Sequence, residues 1–171
     1  MKPAPKGRIA RAGQARAASF RFSAGSGRHR VWGGAFLSHE GLVVNLVGGD
    51  LPHVGAVAVS IPRPSLGNAR RRSATTSVLA IPGHKEDELA RPMAAELARA
   101  LGRTTVVVAG IHIKRARQED IEWVVGNAGR ALEAIIARVR GNHSSEGRTS
   151  RGGSKAQRAP GFRGGRTREQ P

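Results

Sequence analysis

The sequence predicts an α+β domain: a mixed, mainly antiparallel sheet of about six strands, in the order β-β-β-β-β-α-β-α, packed against two helices. Three observations predict it. Short β-branched and aromatic runs follow one another between Gly- and Pro-rich turns from Ser19 to Ile81. Two segments then carry apolar residues at helical spacing, separated by the very hydrophobic stretch Thr104–Ala109. Before residue 19 and after residue 140 the apolar content collapses.

The first strand is expected at Ser19–Ser23, with Phe20 and Phe22 inward. Ala24-Gly25-Ser26-Gly27 turns the chain into Val31–Ser38, which places Trp32 and Phe36 on one face. His39-Glu40-Gly41 leads into Leu42–Val47, and these strands read as consecutive antiparallel hairpins. A bend, Gly48-Gly49-Asp50-Leu51-Pro52-His53, precedes Val54–Ile61. In that strand Gly55, Ala56 and Ala58 allow close approach by a backbone, a helix or a flat ligand. Pro62–Arg72 is expected as a long loop, its Arg70-Arg71-Arg72 triplet a solvated surface.

Ala74–Ile81 is the next strand. The helix after it carries Leu89, Met93, Leu97 and Leu101 on one stripe and stops at Gly102. Pro92 lies inside it if it starts near Glu86, and at its first turn if it starts at Arg91. Glu86, Asp87 and Glu88 favour the earlier start, because carboxylates suit the positive helix end. Strand, helix and strand over Ala74–Ile113 imply a parallel crossover. Gln118–Arg140 then sets Ile121, Val124, Val125, Ala128, Leu132, Ile135, Ile136 and Val139 on one face, with Trp123 off it.

Three segments follow: a disordered basic tail at 1–18, a domain at 19–140, and a disordered Arg/Gly-rich tail at 141–171. The formal net charge of +17 is spread unevenly. Residues 1–16 hold five basic residues and no acid, and residues 141–171 hold seven basic residues against two acids. The domain is only mildly basic. Its few aromatic residues, with no Tyr, offer no stacking platform, so nucleic acid is expected to bind weakly and non-specifically, through the tails. The absence of Cys excludes disulfides, thiolate catalysis and cysteine-based metal centres, and fits a reducing cytoplasm. No run approaches the ~20 apolar residues of a membrane span.

The chemistry gathers around Thr75–Glu88, where a strand meets Pro82-Gly83, then His84-Lys85, then acids opening a helix. A helix N-terminus beside an imidazole and an ammonium is a place for an anion. His53, His84 and His112 all sit at element ends and are expected on one rim. Three imidazoles there are a candidate metal set for a small metal-dependent enzyme, and His84 with Lys85 and Glu86 a candidate acid–base set. No nucleophile elbow, P-loop or dinucleotide fingerprint accompanies them. Small residues (Gly55, Gly83, Gly110), hydroxyls (Thr75, Ser77) and the His/Lys set favour a binding rim for a flat, polar or phosphorylated ligand.

Three blocks carry a family resemblance: Gly-Gly-Asp-Leu-Pro-His-Val-Gly-Ala-Val-Ala (48–58), Thr-Ser-Val-Leu-Ala-Ile-Pro-Gly-His-Lys-Glu-Asp-Glu-Leu (76–89) and Val-Val-Val-Ala-Gly-Ile-His-Ile (106–113). Together they resemble the LpdD-like family of prenylated flavin chaperones, similar in fold to the proteasome-assembly-chaperone-4 group. The resemblance covers residues 17–140 and implies a non-enzymatic accessory protein. Such a protein delivers or protects prenylated FMN for a UbiD-type decarboxylase, and the fold often pairs into homodimers. The family's shared positions fall on Asp50, His53, Gly55, His84, Lys85, Glu86 and His112. The resemblance implies Lys85 and the helix N-terminus for phosphate, and the histidines for polar flavin edges or a partner's carboxylate. Lys114-Arg115-Ala116-Arg117 departs from the family pattern, which has an acidic or polar turn there.

Overall fold

The structure, a computed structural model, describes residues 17–149, with the side chains of 142–149 left out. Of the expected tails, 1–18 and 141–171, residues 1–16 and 150–171 lie outside the described residues, whereas Ala18 already belongs to a strand and 141–149 to a helix. Six strands form one sheet: β1 (Ala18–Ala24), β2 (Val31–Leu37), β3 (Gly41–Gly49), β4 (Ala56–Pro64), β5 (Arg72–Ala80) and β6 (Thr104–His112). Helix α1 (Asp87–Leu101) joins β5 to β6, and α2 (Gln118–Thr149) follows β6. The spatial order is β1-β2-β3-β6-β4-β5. Only the β3–β6 pair is parallel, so the sheet is mixed and mainly antiparallel.

The expected parallel crossover is present: β5 and β6 both run antiparallel to β4, which lies between them. β6 does not lie beside β5; it inserts between β3 and β4 and takes β3 as its parallel partner. The physical reason is burial. Val107 and Ala109 are fully buried, so the most apolar strand belongs at the centre, while β5, rich in Ser and Thr, takes the edge. The loop Pro62–Arg72 is also shorter than expected, because β4 and β5 continue pairing out to Pro64 and Arg72. Arg72 stays exposed, as expected of the triplet, and its guanidinium donates to the Arg99 carbonyl at 3.2 Å, helping to cap the C-terminus of α1.

Both helices pack on one face of the sheet, α1 over β4, β5 and β6 and α2 over β1 and β2. Strand alternation decides what they cover. Val31, Ala35, Leu42, Val44, Leu46, Ala56, Ala58 and Val107 point in and are buried. Ala56 and Ala58 lie against the alanine-rich α1, whose Ala90, Ala94 and Leu97 are also buried; small side chains bring helix and sheet together. Phe20 and Phe22 pack on this core from β1. Trp32 and Phe36 share the opposite face, which no element among the described residues covers.

Helix α1 starts at Asp87 and keeps Pro92 inside, so the acids win the choice of start. Gly102 closes it in the left-handed region at φ 67°. On α2 the buried stripe is narrower than the sequence pattern: Val124, Ala128, Ala131, Ile135 and Val139 are buried, whereas Ile121 and Val125 are about half exposed. The helix also runs past the expected end at Arg140 to Thr149. Asn127, buried on α2, donates to the His29 carbonyl at 2.7 Å and pins the turn between β1 and β2. Trp123 stacks over the His29 ring, with centroids 6.5 Å apart.

Gly126 and Gly129 sit in α2 with open space where a Cβ would go. Alanine at either position is expected to stabilise the chain by about 0.5–1 kcal/mol, read from urea denaturation midpoints, because glycine in a helix interior loses more backbone entropy.

Candidate functional site

The site grows from the turn between β5 and α1. Gly83 takes φ 85°, a conformation glycine adopts without a Cβ penalty, and His84 N–H closes the turn on the Ile81 carbonyl at 3.1 Å. Glu86 is the residue at the helix N-cap. Its carboxylate folds back under the turn instead of facing water, with only 11% of the side chain exposed. Oε1 accepts the Ile111 N–H of β6 at 3.3 Å, while Oε2 is buried without a hydrogen-bond partner.

Gly55 explains how the carboxylate fits. A Cβ there would lie 2.5 Å from Glu86 Oε2. The open space expected for a ligand or backbone is taken by the protein's own acid.

His53 arrives from the β3–β4 connection. Its Nδ1 faces the Leu51 carbonyl at 3.1 Å, and its Nε2 lies 2.8 Å from His84 Nδ1 and 3.1 Å from Glu86 Oε1. His84 Nδ1 is 3.6 Å from Glu86 Oε2. His112, at the end of β6, turns its ring edge toward His53 with centroids 6.3 Å apart. The three histidines therefore share one corner. Glu86, not His112, completes the tight group.

Asp50 stands next to this corner but serves the backbone. Its Oδ2 accepts the Lys114 N–H at 2.9 Å, and its own N–H donates to the His112 carbonyl at 2.7 Å, fastening the ends of β3 and β6 together. Arg28 lies 3.6 Å from the same carboxylate. Thr75 and Ser77 are elsewhere. They point to the uncovered face of the sheet, where Thr75 accepts from Arg63 Nε at 2.9 Å.

A cavity of about 670 Å³ opens between α1, the end of β6 and the start of α2. One end is polar, with His84, exposed Lys85, Glu86 and His112. Its walls are apolar: Leu89 and Pro92 from α1, Ile111 and Ile113 from β6 and the turn beyond, Ile121 and Val125 from α2. The volume falls in the range of small-molecule sites, which typically join apolar walls to a few convergent polar groups. At the helix start the Glu88 and Leu89 amides already bond the Lys85 and Glu86 carbonyls, at 3.1 Å each. Asp87 and Glu88 add negative charge there. Among the described residues lining the cavity, Lys85 is the one lysine or arginine.

The sequence pattern assigns Leu89, Ile121 and Val125 to apolar helix faces and none of them to a site. Their signal is the excess width of the α2 stripe: Ile121 and Val125 are apolar in the helical pattern yet not needed by the core.

Asp120 lines the cavity near α2. Its carboxylate accepts the Arg117 N–H at 2.8 Å, as in a capping box, and lies 2.6 Å from His29 Nε2. The Arg117 amide first, and His29 second, hold its pKa below the usual carboxylate value. A carboxylate depressed in the folded state adds stability above its unfolded pKa of ~3.9, and that stability is lost as pH falls through the folded pKa. Asp120→Asn is expected to flatten the dependence of Tm on pH below about pH 4, leaving the neutral region nearly parallel.

A family model described as the prenylated flavin chaperone LpdD-like domain matches residues 25–140. No curated protein matches the chain. Among solved structures, one chain from "Crystal Structure of a Novel Chaperone Complex for Yeast 20S Proteasome Assembly" is similar at 12% identity. The match covers 72% of this chain and 95% of that one, with a TM-score of 0.48. Among the described residues no helix is long and apolar enough to cross a membrane.

Proposed function

We propose, for a chain that belongs to the prenylated flavin chaperone LpdD-like family, that it holds prenylated FMN in the α1–α2 cavity and passes it to a UbiD-type decarboxylase in the cytoplasm. In this reading it turns over no substrate of its own. The observation that carries the reading is the cavity itself: apolar walls lead to a polar end of histidines, Lys85 and Glu86. Prenylated FMN has a matching division, with a flat, largely apolar ring system, a pyrimidine edge of donors and acceptors, and a phosphate. Leu89, Ile121 and Val125 would take the ring faces. His84 and His112 would take the pyrimidine edge, and Lys85 the phosphate. His53, Gly55, Glu86 and Asp50 would hold this end in shape, whereas Thr75 and Ser77, on the other sheet face, would take no part.

The test is direct. Protein incubated anaerobically with prenylated FMN and then desalted is expected to keep the flavin absorbance and a matching mass at close to equimolar ratio. Passage through the column with no retained flavin overturns the reading.

We assign the homodimer contact to the uncovered sheet face. Phe36, Val43, Val59, Ile61 and Leu79 are exposed there, across four strands, and the alternation that buries the core leaves them outside. Such a face suits a second copy of itself, because two flat apolar sheets pack about 10 Å apart with side chains interdigitated. Ile61→Arg combined with Leu79→Arg is expected to convert a dimer to a monomer in light scattering, without loss of helical circular dichroism.

A further inference from the structure

We propose that His53, His84 and Glu86 bind a first-row divalent cation of the zinc class, with an open coordination position toward the cavity. One ligand atom from each residue lies within 4.8 Å of the others. The site shares His84 with the proposed flavin end, asks nothing of His112, and is tested without flavin.

The argument begins with His53. A backbone carbonyl accepts hydrogen bonds and cannot donate, so the Leu51 carbonyl 3.1 Å away sets the proton on Nδ1. Nε2 then turns its lone pair inward. This is the outer-sphere arrangement common to metal-binding histidines, in which the remote N–H donates to a carbonyl and fixes the tautomer. The inward Nε2 faces a carboxylate oxygen of Glu86 at 3.1 Å and His84 Nδ1 at 2.8 Å. Glu86 has no hydrogen to give as a carboxylate, and its Oε2 is buried without a hydrogen-bond partner. Either a proton on His84 Nδ1 or a cation must therefore lie between the two ring nitrogens, and the buried carboxylate beside them favours positive charge there.

Geometry and ligand type favour the cation. Bonds of ~2.1 Å in a tetrahedral site put ligand atoms roughly 3.4 Å apart. His53 Nε2 lies 2.8 Å from His84 Nδ1 and 3.1 Å from Glu86 Oε1, a little inside that spacing, and the other Glu86 oxygen, Oε2, lies 3.6 Å from His84 Nδ1, a little outside it. Two imidazoles and a carboxylate are borderline donors, suited to Zn²⁺, Co²⁺, Ni²⁺, Fe²⁺ or Mn²⁺ and poorly suited to Mg²⁺ or Ca²⁺. The three ligands come from supported positions: Glu86 is anchored by Ile111 N–H, His53 by Leu51, and His84 by its turn to Ile81. Three protein ligands and one open position form a site that is accessible to an outside ligand, unlike a closed structural one.

The full chain, freed of any purification tag and of metal, would be titrated with Co²⁺ in the absence of flavin. Co²⁺ absorption and displacement by Zn²⁺ report binding. One ion per chain is expected. The H53Q/H84Q double variant is expected to lose at least a hundredfold in affinity, and the shape-conserving E86Q at least tenfold. H112Q is expected to stay within threefold of the parent. Circular dichroism checks that each variant is folded, and E86Q alone decides if the double variant is not. The proposal is overturned if the parent binds no Co²⁺ saturably, meaning a proton alone fills the corner. It is also overturned if a folded H53Q/H84Q, or E86Q, loses less than tenfold, or if H112Q loses as much as E86Q. Because flavin is absent, each of these results leaves the flavin reading standing.

Discussion

Gly110→Ala is expected to lower the unfolding free energy by roughly 3 kcal/mol or more, a large share of the 5–15 kcal/mol typical of a domain. A Cβ at Gly110 would lie 1.7 Å from the His53 carbonyl oxygen and 2.4 Å from its carbon. These are main-chain atoms, so no rotamer change relieves the clash. The β3–β4 connection would have to lift from β6, straining the Gly55 N–H bond to the Ala109 carbonyl, now 2.8 Å. The same displacement would carry His53 away from Glu86, so the site should loosen together with the fold. Gly126→Ala, in open space on α2, is the matched control and should move stability the other way. Urea denaturation measures both. A Gly110→Ala variant within 1 kcal/mol of the parent would contradict the close approach.

The paired substitution Ile121→Glu and Val125→Glu is expected to weaken prenylated FMN binding at least tenfold while leaving Tm within a few degrees. Both residues are about half exposed, so two carboxylates there disturb little of the core. Both also form the α2 wall of the cavity. Seating a flat ring against them would strip water from the new charges without supplying partners, and the negative charge would repel the flavin phosphate. Flavin absorbance retained after desalting reads the effect. The His53, His84 and Glu86 group is untouched by this pair, so cation binding should persist when flavin binding fails.

Much of the fold was legible because its signals are local. Alternation in Phe20–Phe22, the four-residue spacing of Met93 and Leu97, and Gly102 at a helix end each act within a few residues. The position of β6 was not legible, because insertion between β3 and β4 depends on which strand gains most from burial on both edges. Periodicity also overstated the buried face of α2. It registers that Ile121 and Val125 are apolar, and cannot distinguish core from cavity wall.

At the site, the element ends placed His53, His84 and His112 near one another, as strand ends on one rim should. The role of Gly55 was legible only as a need for space; a carboxylate two residues past His84 occupies it. Thr75 and Ser77 were adjacent in sequence to the functional turn, but strand alternation points them at the other face. In the turn Lys114-Arg115-Ala116-Arg117, Asp50 accepts the Lys114 N–H, and Arg117 opens α2 through its amide.

The most direct test of the chaperone reading is cofactor occupancy of a UbiD-type decarboxylase produced with and without this chain, measured by absorbance and by decarboxylation rate. Co-production with the full chain should raise the holo-enzyme fraction, and co-production with the Ile121→Glu, Val125→Glu variant should not. Equal occupancy and equal activity in the presence and absence of the chain would contradict it.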